Sequence, residues 1–100
     1  MIARFPDYRN PDGKGYLLEL KADINSYFAS RVVAPFIPIQ DIADYAKTLN
    51  PVFEVDGQRV VMATQGMAAV PVSILKYPVT SLEPMRTEIV AAIDLLFQGF

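Results

Sequence analysis

The sequence contains no cysteine, no histidine and no tryptophan. Without cysteine the chain has neither a disulfide framework nor a thiolate that binds a metal or attacks a substrate. Without histidine the commonest general base is missing, so acid, base or metal chemistry would have to use carboxylates, lysine or tyrosine. We therefore expect no catalytic residues, no metal site and no cofactor.

A concentration of basic charge is also missing. Nine basic and eleven acidic residues give a formal net charge of −2. A direct nucleic-acid interface usually needs a clustered basic surface, so the chain alone is not expected to bind DNA or RNA. The N-terminus lacks the apolar stretch that is typical of a signal peptide. No apolar run reaches about eighteen residues, the length needed for a membrane span. We expect a soluble, cytoplasmic protein.

Apolar residues are abundant instead. They account for 52% of the 100 residues, and aromatic residues account for 11%. A chain of this length buries roughly two thirds of its unfolded surface, which is enough for one modest core. We therefore expect residues 1–100 to form a single domain, and the surplus of apolar residues suggests an oligomer.

The first half of the chain has the pattern of β-structure. A strand around residues 2–5 would be interrupted by Pro6, and the breaker-rich segment 9–15 predicts a turn that joins it to a strand over residues 16–20. Residues 23–30 are predicted to form a loop. Residues 31–39 predict a further strand, and its two prolines predict that this strand lies at a sheet edge or contains its prolines near its ends.

The third quarter of the chain contains the strongest hairpin signal. Asp56 and Gly57 separate the apolar segments 51–55 and 58–63, a pattern typical of a two-residue β-turn. Residues 40–49 are compatible with either a short helix or a long loop. Residues 68–75 predict another strand, in which Pro71 suits a bulge or a sheet edge.

The pattern changes at Glu83 and Pro84. Apolar residues then recur three and four residues apart, which predicts an amphipathic helix of about four turns; they are Met85, Ile89, Ala92, Ile93, Leu96 and Phe97. Pro84 suits the first helical position, and Ser81 or Glu83 would lie near the N-terminal cap. The predicted fold is therefore mainly β with a C-terminal α-helix packed on a twisted sheet.

The end of this helix is the most informative part of the sequence for function. The apolar segment runs to Gly99 and Phe100, and a glycine at this position normally ends a helix. Only one residue follows Gly99, so we expect Phe100 either to fold back or to dock on a partner.

Three segments carry a resemblance to a known family: Met67-Ala-Ala-Val-Pro-Val-Ser73, Arg31-Val-Val-Ala-Pro35 and the helix that closes on Phe97-Gln-Gly-Phe100. With these segments the chain resembles the CcdB family of plasmid and chromosomal toxins over nearly its whole length. The resemblance implies a CcdB/MazF-like fold, with a small barrel-like antiparallel sheet, a smaller sheet and a C-terminal helix near a twofold axis. It also implies a cytoplasmic homodimer that is not an enzyme.

The resemblance further implies the partners of such a toxin. Members bind the dimerisation region of the DNA gyrase A protein and trap gyrase with its DNA cleaved, and a CcdA-like antitoxin neutralises them when its disordered tail folds on the toxin. Contact with DNA would be indirect, through gyrase or the antitoxin complex. We expect the antitoxin to contact the segment between Ile42 and Gly66.

The family's gyrase-contacting positions carry over to seven residues: Ile24, Asn25, Asp94, Phe97, Gln98, Gly99 and Phe100. The last three differ from the Trp-Gly-Ile of the best-known members, so the large aromatic surface has moved from position 98 to position 100. Asn25 stands where an apolar residue is expected, and Asp94 where an asparagine is found.

Two alternatives remain open at this point. MazF-like toxins share a similar fold and cleave RNA with an arginine, so Arg31 is the candidate residue if the chain is an endoribonuclease. Gln98 motivates the other alternative, a CcdB-like dimer that has lost gyrase poisoning. Loss of Arg31 would inactivate a ribonuclease, whereas loss of the last three residues would inactivate a gyrase poison.

Overall fold

A computed structural model describes residues 5–20 and 30–99 and shows a curled antiparallel sheet with one long helix. The strands are β1 (Pro6–Arg9), β2 (Tyr16–Glu19), β3 (Ser30–Pro38), β4 (Val52–Val55), β5 (Gln58–Met62), β6 (Ala68–Pro71) and β7 (Pro78–Ser81). Short 3-10 turns occupy Ile39–Asp41, Thr64–Gly66, Val72–Ile74 and Glu83–Met85, and helix α1 spans Arg86–Gln98. The predicted mainly β fold with a C-terminal helix is confirmed.

The longest strand, β3, is the centre of the sheet. The strand order is β4-β5-β3-β2-β1-β7, and β6 branches from β3. On one side β3 pairs with β2, and on the other side its residues 30–33 pair with β6 and its residues 36–38 pair with β5. The described strands therefore form one hydrogen-bonded sheet of seven strands.

Of the two predicted placements for the prolines of β3, the sheet edge is wrong because β3 pairs on both sides, whereas Pro38 does lie at the end of the strand. Leu20 donates its N–H to the Val32 carbonyl, so even-numbered β3 residues direct their backbone groups toward β2 and Pro35 directs its own toward the opposite side. Pro35 lies there between the segments that pair with β6 and with β5, where its missing N–H breaks no ladder. Its carbonyl still accepts the N–H of Ala63 at 2.8 Å.

The first strand also differs from its prediction. Pro6 begins β1 instead of interrupting a strand, a position where the missing N–H is tolerated. Residues 2–4 of the predicted strand lie outside the described residues. The predicted hairpin over segment 9–15 is confirmed, because β1 and β2 pair in antiparallel register with Arg9 opposite Tyr16.

The later hairpin is confirmed as well. Asp56 and Gly57 have φ angles of 53° and 77°, as a tight turn between β4 and β5 requires. Residues 40–49 contain no α-helix: after the 3-10 turn at Ile39–Asp41 they run as irregular chain. The predicted strand over 68–75 ends at Pro71 and continues as a 3-10 turn. Of the predicted loop over 23–30, only Ser30 is described, and it begins β3.

The hydrophobic core lies inside the curl of the sheet and beneath α1. Its buried members are Phe5, Tyr16, Leu18, Ala34, Phe36, Phe53, Val55, Val60, Met62, Leu82, Ile89 and Ala92. The curl brings the β4–β5 turn to the distant strand β1, where an Arg9 guanidinium nitrogen lies 3.6 Å from an Asp56 carboxylate oxygen. In the strand order, β3 and β2 lie between the β4–β5 hairpin and β1. The contact therefore shows that the sheet curls enough to bring these separated strands together.

Candidate partner-binding site

The last turns of α1 carry an exposed aromatic side chain. Ile89 and Ala92 are buried against the core and Ile93 packs beside them, whereas Phe97 is 73% exposed. Phe97 continues the apolar spacing of Ile89 along the helix, but the core does not cover its side chain in the final turn. The exposed phenyl ring is available for contact with another molecule.

Asp94 and Gln98 are exposed on the same side of the helix as Phe97. Residues three and four positions apart are neighbours on a helix surface, so these side chains form one continuous patch. Val90, which is 37% exposed, extends the patch by one turn toward the start of the helix. We call Val90, Asp94, Phe97 and Gln98 the α1 patch.

Gly99 ends the helix. It has a φ angle of 76° in the left-handed region, and its N–H donates to the Leu95 carbonyl at 2.9 Å. Glycine adopts this conformation without strain, whereas other residues rarely do. No atom approaches within 4 Å of the place where a side chain would begin, so the backbone here is open to a partner.

The structure thus brings together four of the seven residues predicted for the site: Asp94, Phe97, Gln98 and Gly99. The other three, Ile24, Asn25 and Phe100, lie outside the described residues. The α1 patch offers an aromatic ring to bury, a carboxylate to pair with a cation and an amide to hydrogen-bond. This combination of an aromatic anchor with polar neighbours suits recognition of a protein surface.

A second polar cluster joins three strands on the face of the sheet that bears Tyr8. The Tyr8 hydroxyl donates to Glu19 Oε1 at 3.3 Å, and Arg31 Nε lies 4.0 Å from Glu19 Oε2. Burial raises the pKa of Glu19, while the Tyr8 hydrogen bond and the Arg31 charge oppose that rise. Sequence reasoning singled out Arg31 alone, because the partners come from separate strands and no local motif announces them.

The Arg31 side chain is already engaged within its own chain. Besides Glu19, it contacts the Ser30 carbonyl, to which Nη1 donates at 2.9 Å, and its side chain is only 20% exposed. An arginine held in this way supports the local structure of β2 and β3.

An open pocket of about 700 Å³ lies beside β4, lined by Ala43, Asp44, Tyr45, Lys47, Pro51 and Val52. Buried Asn50 supports its wall. The Asn50 side-chain amide donates to the Met62 carbonyl and to Gln65 Oε1, and its oxygen accepts the N–H of Ala46. The pocket lies within the segment from Ile42 to Gly66 that was predicted to contact the antitoxin.

Residues 5–20 and 30–99 contain no group of three or more Asp, Glu, His or Cys side chains arranged to hold a metal ion. Among the same residues, no helix has the length and apolar character needed to cross a bilayer. The α1 patch and the pocket beside β4 are two surfaces that the described residues offer to partners.

The family profile described as CcdB protein matches residues 4–99, which include every described strand and α1. A search of curated proteins found no significant match.

Proposed function

Because the chain belongs to the CcdB family of toxins from toxin–antitoxin systems, we propose that it binds the gyrase A protein of DNA gyrase through the α1 patch and traps gyrase with its DNA cleaved. The supporting observation is the exposure of Phe97 near the end of a helix whose Ile89 and Ala92 are buried: 73% of Phe97 is open to solvent. A toxin that works as a wedge needs such a side chain outside its own core.

The energetics of the α1 patch agree with this role. Burial of one large apolar side chain contributes roughly 1.5–3 kcal/mol, so Phe97 alone supplies a useful fraction of a binding energy. The Asp94 carboxylate adds orientation when it meets a cationic group, because hydrogen bonds to charged groups are stronger than neutral ones. Gly99 lets the partner approach the backbone, and Phe100 supplies a second aromatic ring in the proposed site.

Ile24 and Asn25 complete the proposed gyrase site. They belong to it by the resemblance to the family, which matches the chain on both sides of them. Asn25 contributes a hydrogen-bonding side chain where an apolar one is expected, so the gyrase surface it meets would be more polar at that point.

The remaining partners follow from the same family membership. We propose that the toxin acts as a homodimer in the cytoplasm, where gyrase works, and that a CcdA-like antitoxin neutralises it by folding a disordered tail on its surface. The pocket formed by Tyr45, Lys47 and Pro51 is the proposed anchoring point for that tail, because it offers an apolar wall together with the charges of Lys47 and Asp44.

Exchange of one exposed aromatic residue tests the proposed site. Phe97→Ala should lower the amount of gyrase-linked cleaved DNA by at least roughly tenfold, since it removes about 1.5–3 kcal/mol of burial. Tyr77→Ala is the matched control, because Tyr77 is 67% exposed and lies outside α1. Equal cleavage with both variants would exclude Phe97 from the gyrase site.

An endoribonuclease is the second candidate, and the Tyr8, Glu19 and Arg31 cluster is the observation that favours it. A carboxyl group with a raised pKa beside an arginine is an arrangement that acid–base catalysis can use. Arg31→Ala distinguishes the two functions: a ribonuclease would lose activity on RNA, whereas a gyrase poison that remains folded would still produce cleaved DNA.

A further inference from the structure

Asp7 is a completely buried carboxyl group on β1, the strand next to the β7 edge of the sheet. It lies on β1 opposite Leu18 of β2 and Thr80 of β7, and none of its surface is exposed. Its Oδ1 accepts the N–H of Thr80 at 2.9 Å. Its Oδ2 is buried without a hydrogen-bond partner among the described residues. Burial of an unsatisfied carboxylate oxygen is costly, so the ionised form is poorly accommodated.

The carboxyl group lies where the pairing between β1 and β7 is irregular. Asp7 is opposite Thr80 but the next residue, Tyr8, is opposite Pro78, so β7 contains one extra residue at this point. A bulge of this kind disrupts the local ladder of backbone hydrogen bonds. The Asp7 side chain takes up the N–H of Thr80 there, and the join between the two strands therefore depends on this carboxyl group.

The same join holds the start of α1. Directly after β7, the Leu82 N–H donates to the Phe5 carbonyl at 2.8 Å, and both residues are buried. The Arg86 guanidinium, at the first position of α1, lies 5.5 Å from the centre of the Phe5 ring. We call the contacts of residues 5–9 with residues 77–82 the β1–β7 seam.

The charged groups around Asp7 do not compensate for its burial. Burial raises the pKa of Asp7 to about 6, the Thr80 hydrogen bond opposes the rise, and the Asp56 carboxylate of the β4–β5 turn adds to it. The Arg9 guanidinium, on the same strand, is paired with Asp56 at 3.6 Å. From β2, the buried Tyr16 contributes a neutral hydroxyl whose own pKa is raised by burial.

We propose that Asp7 makes the β1–β7 seam a proton-sensitive junction, closed most firmly when the Asp7 carboxyl is protonated and more easily opened, together with the start of α1, when it is ionised. A protonated carboxyl group is neutral, so its burial costs less, and its carbonyl oxygen still accepts the Thr80 N–H. Ionisation leaves the hydrogen bond in place but buries a negative charge. The free-energy cost of burying this charge disappears when the seam opens to water.

The direction of the pH dependence follows from proton linkage. In the open seam Asp7 regains its ordinary pKa of 3.8, whereas in the closed seam its pKa is about 6. The closed form therefore binds more protons between these values, and the seam weakens as pH rises through this interval. Above about 6 the weakening is complete, and below 3.8 both forms are protonated, so Asp7 has no further effect.

The experiment compares the wild type with Asp7→Asn, which removes the charge and keeps an oxygen for the Thr80 N–H. Asp12→Asn is the control, because Asp12 is exposed in the β1–β2 turn. Hydrogen exchange is followed at the amides of Thr80 and Leu82. At pH 7.5 Asp7→Asn should lower the opening constant of these amides by roughly 10- to 100-fold, and the difference should shrink as pH falls to about 5.

A second measurement does not depend on the variant. Titration of the Asp7 carboxyl carbon by NMR in the wild-type protein should give a midpoint near 6 and should move the amide signals of Thr80 and Leu82 over the same pH interval. A titration midpoint near 3.8 would overturn the proposal. It would also be overturned if the opening of the seam had the same pH dependence in the wild type, Asp7→Asn and Asp12→Asn.

Discussion

Two residues of α1 show how one helical pattern serves two purposes. Ile89 and Phe97 are both apolar and lie two turns apart, yet Ile89 is fully buried and Phe97 is 73% exposed. Their spacing predicts a shared face but does not say how far along the helix the sheet reaches. The residues alone therefore pointed to the end of the helix as a contact region, whereas the individual site residues came from the resemblance to a known family.

Stability measurements separate these two residues. Ile89→Ala should lower the free energy of unfolding by about 2–5 kcal/mol, because it leaves a cavity in the core. Phe97→Ala should change it by less than about 0.5 kcal/mol, since an exposed side chain contributes little to folding. Urea unfolding measures both, and a large loss for Phe97→Ala would show that its ring packs on its own chain.

Gln98 allows a prediction of increased function. Gln98→Trp places a large aromatic surface beside Phe97 in the α1 patch, where it can stack on a cationic group of the partner. We expect this variant to produce more gyrase-linked cleaved DNA than the wild type at equal concentration, with Gln98→Ala as the control for loss of the amide. No gain from the tryptophan would show that position 98 does not face gyrase.

Two glycines illustrate what backbone conformation and crowding each contribute. Gly15 and Gly57 have similar φ angles of 85° and 77°. A side chain at Gly15 would clash with the Phe36 carbonyl, whereas a side chain at Gly57 would point into open space. Gly57→Ala should therefore cost only about 1 kcal/mol of backbone strain. Gly15→Ala should cost at least about 3 kcal/mol or prevent folding, because the backbone of β3 would have to move. Thermal unfolding of the two variants provides the comparison.

At the scale of elements, the sequence was most informative where the chemistry is local. Asp56 and Gly57 specify their hairpin because few other residues tolerate the required φ angles. It was least informative for β3, whose prolines suggested a sheet edge or strand ends. Pro35 lies between the segments that pair with two different strands, and this position depends on the assembled sheet. The sequence pattern of residues 30–38 therefore could not predict it.

The segment before β4 is held in place by one buried side chain instead of by regular structure. Asn50 is 4% exposed and joins Ala46, Met62 and Gln65 through hydrogen bonds. Asn50→Ala should lower the free energy of unfolding by about 1–3 kcal/mol, because it leaves these buried groups without partners.

If the pocket beside β4 anchors the antitoxin, Asn50→Ala should also weaken antitoxin binding while gyrase poisoning remains. Calorimetric titration with the antitoxin would contradict this if affinity were unchanged.

At the scale of the whole molecule, the curl of the sheet and the position of α1 divide the surface into separate regions. The α1 patch lies at the end of the helix, and the pocket beside β4 lies in the segment that connects β3 to β4. The buried Asp7 lies in the β1–β7 seam, next to the start of α1. The proposed contacts with gyrase and antitoxin, and the proposed response to pH, therefore use different residues and can be altered one at a time.

The central claim is that the last turn of α1 and the residues after it turn this fold into a gyrase poison. The most direct measurement incubates purified cognate gyrase with DNA and ATP and detects protein-linked cleaved DNA. It compares the intact chain with one truncated after Phe97. We predict cleaved DNA with the intact chain and none with the truncated one. Absence of cleavage with the intact chain, or equal cleavage with both, would contradict this account.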